Sequence, residues 1–99
     1  MHIISKRRLR EFWGENPESK NPLLNWYQIV NRVDWQDFSD IRETYRSTDV
    51  YKDCVIFNVG GNKYRLITKI RYQINRVYIR FVMTHKKYDK DKWKEDCEC

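Results

Sequence analysis

A chain of 99 residues has room for one hydrophobic core, which predicts a single domain over residues 1–99 with one site to do its work. Twenty Lys and Arg against 14 Asp and Glu leave +6, a balance that points to an anionic partner, and nucleic acid is the commonest cellular polyanion. Membrane spans of roughly 18 apolar residues, signal-peptide cores of about 7–15 and the paired clusters of a structural zinc site are all absent, while Cys54, Cys97 and Cys99 are too few and poorly spaced for a disulfide framework; the reading is a reduced, cytoplasmic chain without membrane association, metal or cofactor.

His2-Ile3-Ile4 is a short β-branched run suited to a sheet edge. Ser5 stands where a helix cap belongs, ahead of Leu9, Phe12 and Trp13 at helical spacing with Gly14 to stop them, so a first helix is predicted over about residues 6–13. Asn21 before Pro22 signals a second start, and Leu23, Trp26, Val30 and Val33 then form one apolar stripe ending near Arg32 or Val33. Ser39 is the cap expected for a short third helix, with Asp40 and Glu43 in its first turn and Phe38, Ile41 and Tyr45 facing inward.

From Cys54 the period changes to two. Two β-runs flank Asn58-Val59-Gly60-Gly61-Asn62, and a third follows Gln73-Ile74-Asn75, which predicts an antiparallel meander. The glycine doublet reads as a hairpin turn, since no helix follows it to make a phosphate loop. Helices first and strands afterwards indicate an α+β domain, its N-terminal helices packed on one face of an antiparallel sheet.

Charge is unevenly spread. Residues 11–62 hold five basic and nine acidic side chains, whereas residues 63–92 hold ten basic and two acidic. In the run Lys63 to Tyr72, Leu66 and Ile70 alternate with Arg65, Lys69 and Arg71; in the run Arg76 to Thr84, Val77, Ile79, Phe81 and Met83 read as one apolar face with Tyr78, Arg80, Val82 and Thr84 opposite. One sheet face therefore carries Arg65, Lys69, Arg71 and Arg80, where a phosphate chain could lie.

Thr84-His85-Lys86-Lys87-Tyr88-Asp89-Lys90 follows the last strand beside that face. Cleavage of RNA by its own 2′-hydroxyl needs a base, cations for the crowded phosphate and an acid for the departing 5′-oxygen; it needs neither a metal nor a covalent intermediate. Histidine exchanges protons near neutrality, so His85 is a candidate for that transfer. Arg65 and Arg80 offer planar donors to the phosphate. Tyr88 could stack on a base, bond the phosphate, or join proton transfer if nearby cations lower its pKa. Lys63, Lys69, Arg71, Lys86 and Lys87 supply positioning charge along the RNA.

Val55-Ile56-Phe57-Asn58-Val59-Gly60-Gly61-Asn62-Lys63-Tyr64-Arg65-Leu66 and the later block Tyr78-Ile79-Arg80-Phe81-Val82-Met83-Thr84-His85-Lys86-Lys87-Tyr88-Asp89 resemble the HigB family. That family is similar in turn to the RelE-like toxins of type II toxin–antitoxin pairs. The opening His2-Ile3-Ile4, Trp26-Tyr27 and Trp35 extend the likeness over most of the chain. The resemblance implies a RelE-like fold and an mRNA interferase, an endoribonuclease acting on messenger RNA commonly during translation on the ribosome. It also implies inhibition by a HigA-type antitoxin with a DNA-binding helix-turn-helix. On the family pattern Arg65 matches a central-strand arginine, His85 and Tyr88 match a C-terminal pair, and Arg80 matches less closely; base and acid are not assigned between His85 and Tyr88. A non-catalytic RNA- or DNA-binding module using the same basic face, and an interaction protein with a merely solubilising charge, are the alternatives.

Overall fold

The computed structural model describes residues 1–96. In chain order the elements are β1 (His2–Ile4), α1 (Lys6–Glu15), a 3-10 turn (Pro17–Ser19), α2 (Lys20–Arg32), α3 (Phe38–Thr44), β2 (Asp49–Tyr51), β3 (Cys54–Val59), β4 (Tyr64–Arg71), a second 3-10 turn (Tyr72–Ile74), β5 (Arg76–Thr84), α4 (His85–Tyr88) and α5 (Trp93–Asp96). The five strands make one sheet in the order β1-β5-β4-β3-β2. Strands β2 to β5 pair antiparallel as the meander requires, and β1 joins the edge parallel to β5.

The helix starts follow local chemistry, with adjustments. The Ser5 side chain accepts from the Arg7 amide at 3.2 Å, but α1 runs through Gly14 to Glu15; an interior glycine weakens a helix without ending it. Helix α2 begins at Lys20 rather than at Pro22, because the first turn tolerates a proline whose missing N–H would have no helical partner anyway. The cap of α3 is Asp37, whose Oδ1 accepts from the Asp40 amide at 3.0 Å, in place of the expected Ser39. No described helix is long and apolar enough to cross a membrane.

Two clusters lie on opposite faces of the sheet. On the inner face, under α1 to α3, Leu9, Leu23, Trp26, Val30, Trp35 and Ile41 meet Val55, Phe57, Leu66, Val77 and Ile79. On the outer face, Cys54, Ile56, Ile67, Met83 and Trp93 form a smaller cluster, with Tyr51, Phe81 and Tyr88 packed against it.

The register explains which side chain faces where. Arg65 pairs with Met83 and Ile67 with Phe81, but Thr68 pairs with Ile79, leaving Arg80 as an extra residue in a bulge. Each single-residue shift moves later side chains to the other face. The expectation that Val77, Ile79, Phe81 and Met83 share one face is therefore corrected: Val77 and Ile79 look inward, Phe81 and Met83 outward.

The turn between β3 and β4 uses its glycines. Gly60 and Gly61 both have positive φ, and a Cβ on Gly60 would come within 2.9 Å of the Tyr64 ring, so the hairpin closes against that ring only with glycine there. Cys54, fully buried on β3, is disulfide-bonded, which corrects the expectation of wholly reduced cysteines, since spacing alone does not show which thiols a fold brings together. Cys97 and Cys99 lie outside the described residues.

Candidate active site at the exit of the last strand

Arg65 is the anchor. Alternation on β4 turns it to the outer face, where only 7% of its surface remains exposed. A buried guanidinium must be hydrogen-bonded to be tolerated, and its Nη1 donates to the carbonyls of Asn62 at 3.1 Å and Tyr64 at 3.3 Å. The Tyr88 ring lies across it, 5.3 Å from ring centre to guanidinium carbon. Among the described residues, the only sealed side-chain nitrogens and oxygens without a partner are Trp26 Nε1 and Tyr45 Oη. The remaining Arg65 donors are not among these sealed atoms.

The same hairpin turn holds the histidine. The His85 amide donates to the Lys63 carbonyl at 2.9 Å, one residue from the Asn62 carbonyl that takes Arg65. Thr84 caps the one-turn helix α4 through its hydroxyl, which accepts from the Lys87 amide at 3.3 Å. His85 Nδ1 faces Asp89 Oδ2 at 3.0 Å, and both side chains are about half exposed. A carboxylate on Nδ1 selects the tautomer in which Nδ1 carries the proton and Nε2 is left as the acceptor.

Tyr88 is wedged between the arginine and a second aromatic ring. Trp93 stacks on it with centroids 5.2 Å apart at 12°, and Trp93 Nε1 donates to the Tyr88 carbonyl at 3.2 Å. Burial pushes the Tyr88 pKa up and Asp49 adds to the rise, outweighing Arg65 and Lys94, which lower it. The idea that neighbouring cations depress this phenol is thereby corrected: desolvation wins, and Tyr88 is a neutral hydrogen-bond donor at physiological pH.

Beside this cluster, an open cleft of about 540 Å³ lies between the outer side of β5 and the α4–α5 segment. Phe81, Met83 and Trp93 form its apolar wall. Lys86, Lys87, Lys90 and Lys92 line its rim, all four exposed and, among the described residues, none of them ion-paired.

A family model described as the RelE-like toxic component of a toxin–antitoxin system matches residues 19–91, most of the chain. The chain belongs to the HigB toxin family. It is 29% identical over 92 residues to the mRNA interferase toxin HigB of Escherichia coli strain K12, a match covering 90% of this chain and 88% of that one. The mRNA interferase HigB of Shigella flexneri matches equally, and that of Escherichia coli O6:H1 strain CFT073 is 28% identical over 93 residues, 91% of this chain and 90% of the relative. The α+β layering described above is accordingly a RelE-like toxin fold.

The HigB-family blocks singled out in the sequence do not all converge. Arg65 and the Tyr88 ring are in contact, His85 is tied through its amide to the same hairpin turn at Lys63, and Lys63, Lys86 and Lys87 are exposed. Arg80 is elsewhere: as the bulged residue of β5 it lines a groove with Arg8, Glu11 and Phe12 of α1, and its carbonyl accepts from Arg8 Nη1 at 2.8 Å. Lys69 and Arg71 share the outer face of β4 but sit four and six residues beyond Arg65, roughly 13 and 20 Å along a strand, beside a groove with Phe38 and Val50. Asp89, Trp93, Lys90 and Lys92 were not among the expected site residues. Asp89 and Lys90 fall within the titratable stretch after the last strand, whereas Trp93, alone in a highly charged run, was the one signal for the segment beyond it.

Proposed function

We propose that this HigB-family chain is an endoribonuclease that cleaves messenger RNA through attack of the substrate's own 2′-hydroxyl. The reading is supported most by one observation: a buried, incompletely bonded arginine, a carboxylate-oriented histidine and a neutral tyrosine are all tied to one hairpin turn. The relatives' names, mRNA interferase HigB, fit that equipment.

In this reading His85 Nε2 takes the proton from the 2′-hydroxyl while Asp89 holds the ring. The 2′-oxygen forms a bond to phosphorus, the bond to the 5′-oxygen breaks, and the products are a 2′,3′-cyclic phosphate and a 5′-hydroxyl. Arg65 takes up the charge that grows on the non-bridging oxygens; its carbonyl bonds hold it in place beforehand, so little reorganisation is needed during the step. Tyr88 gives its proton to the departing oxygen, because an alkoxide is a far stronger base than a phenolate even when the phenol's pKa is raised. Lys63, Lys86 and Lys87 position the phosphate chain. Arg80 stands outside this mechanism, and Lys69 and Arg71 serve only a substrate long enough to run the length of β4. Translation-dependent cutting on the ribosome and inhibition by a HigA-type helix-turn-helix antitoxin belong to the same proposal.

Purified protein should convert messenger RNA, with or without ribosomes present, into fragments ending in a cyclic phosphate. His85→Ala should bind the same RNA with little loss and cleave it about 10²-fold more slowly or worse. Unchanged cleavage removes His85 from the mechanism, and binding by the wild type without any cutting assigns the passive RNA-binding module instead.

A further inference from the structure

The cleft between β5 and the α4–α5 segment has no part in the proton transfers just described, yet its chemistry is specific. Its wall is apolar, with Met83 and Trp93 each 4% exposed and the half-buried Phe81 lining it beside them. Four exposed lysines on the rim have no carboxylate partner among the described residues. An apolar ligand alone would gain nothing from that rim, and a bare anion would gain nothing from the wall. A flat aromatic body carrying phosphate satisfies both, because base-on-ring stacking needs an aromatic face while each phosphate needs a nearby cation.

Position narrows the ligand further. Met83 is the strand partner of Arg65, which puts their Cα atoms about 4.5–5.5 Å apart. Thr84, which lines the same cleft, immediately precedes His85. An RNA strand whose scissile phosphate rests on Arg65 thus has the cleft one strand-width away.

We infer that this cleft is a nucleobase subsite: it takes a single unstacked base next to the cleaved bond, stacked on Phe81 against the Met83–Trp93 wall, with Lys90 and Lys92 on the adjoining phosphate. The inference rests on the endoribonuclease reading for the identity of the polymer. Its ligand class, however, is testable without any cutting. Base recognition beside the scissile bond makes this cleft the place where sequence preference would be set, a role distinct from that of Arg65 and His85.

The test titrates the intact protein with each of the four ribonucleoside monophosphates and with ribose 5-phosphate, following the Met83 methyl and Trp93 indole N–H resonances. Nucleotides should shift both signals and bind about tenfold more tightly than ribose 5-phosphate, the effect expected of one base–aromatic stack. Equal affinity for ribose 5-phosphate, or shifts confined to other regions, would overturn the subsite and leave an anion patch. Phe81→Leu should erase the preference for nucleotides. Because that variant could unsettle β5, K90E/K92E, altered only on the exposed rim, should independently weaken nucleotide binding by a similar factor, and failure to do so counts against the proposal. In parallel, an oligoribonucleotide carrying one abasic residue at each position in turn should be cut more slowly only where the missing base neighbours the scissile bond. Cleavage indifferent to every abasic position sinks the subsite while the nuclease stands. Nucleotide binding without cleavage of any RNA sinks the nuclease while the subsite stands.

Discussion

The two faces of the sheet are built from similar residues and do opposite things. The inner face is sealed by three helices, and Phe57 at its centre touches Trp26, Trp35 and Tyr45 with ring centroids at 5.3, 5.8 and 5.5 Å. Among the described residues the outer face is covered by α4 and α5, four residues each, and there the Tyr88 ring lies over Arg65 with Trp93 stacked on it. Replacing a buried charge by an apolar group of the same size is often neutral or stabilising. Stability alone therefore gives Arg65 no reason to be there, whereas the proposed role of holding a cation still for an incoming phosphate does. The inner face accounts for the fold and the outer face carries the candidate site.

That division is most sharply tested by Phe57→Ala. Deleting a fully buried ring costs about 3–5 kcal/mol, a large part of the roughly 5–15 kcal/mol that holds a domain folded, so the urea midpoint should fall steeply. A mild effect would mean that the outer cluster carries more of the fold than its size suggests.

Arg65→Lys probes the other side. It keeps a cation but loses the planar fork; the thermal midpoint should move by only a few degrees, while RNA cleavage falls about 10²- to 10³-fold. Cleavage within a factor of about three would show that point charge suffices and would undo the clamp argument. Asp89→Asn should be milder, about tenfold in rate out of the roughly 10²–10⁴ that proton transfer supplies, because the pair is half exposed and the helical turn still places His85. A stability change with no rate change would reduce Asp89 to a surface ion pair.

How much of this could be seen in the sequence follows from the same contrast. Strand β4 was legible because Arg65, Ile67 and Lys69 alternate strictly with Leu66, Thr68 and Ile70, and all of them keep the predicted faces. Strand β5 was not, because a bulge adds a residue without a compositional mark; counting by twos past Ile79 carries Arg80 to the wrong place. The helices were found from their apolar stripes, with starts off by a residue or two where capping competed. Strand β2 escaped notice because two of its three residues are exposed, so it has no buried alternation to betray it. The His85–Tyr88 stretch stood out by its titratable groups. Its covering turn, α5, did not: four residues give no helical period, and the sole apolar member, Trp93, signals burial without saying against what.

The smallest effect expected on the inner face carries a sign that a simple count of contacts would miss. The Tyr45 hydroxyl is buried with no hydrogen-bond partner, and burial raises its pKa to about 12. Tyr45→Phe removes an unsatisfied group while keeping the ring against Trp35 and Phe57, so at pH 7 it should be neutral or stabilising by about 1 kcal/mol. Above pH 10 the gap must widen. The unfolded wild type ionises near pH 10 and the folded form only near 12, so the stability contributed by keeping this phenol neutral is complete below pH 10 and is lost as pH climbs through that interval. Phenylalanine has nothing to ionise. Urea midpoints taken from pH 8 to 12 should therefore run parallel for the two proteins up to about pH 10 and then separate, the wild type falling faster; curves that stay parallel throughout would show that Tyr45 reaches water more readily than its packing against Phe57 implies.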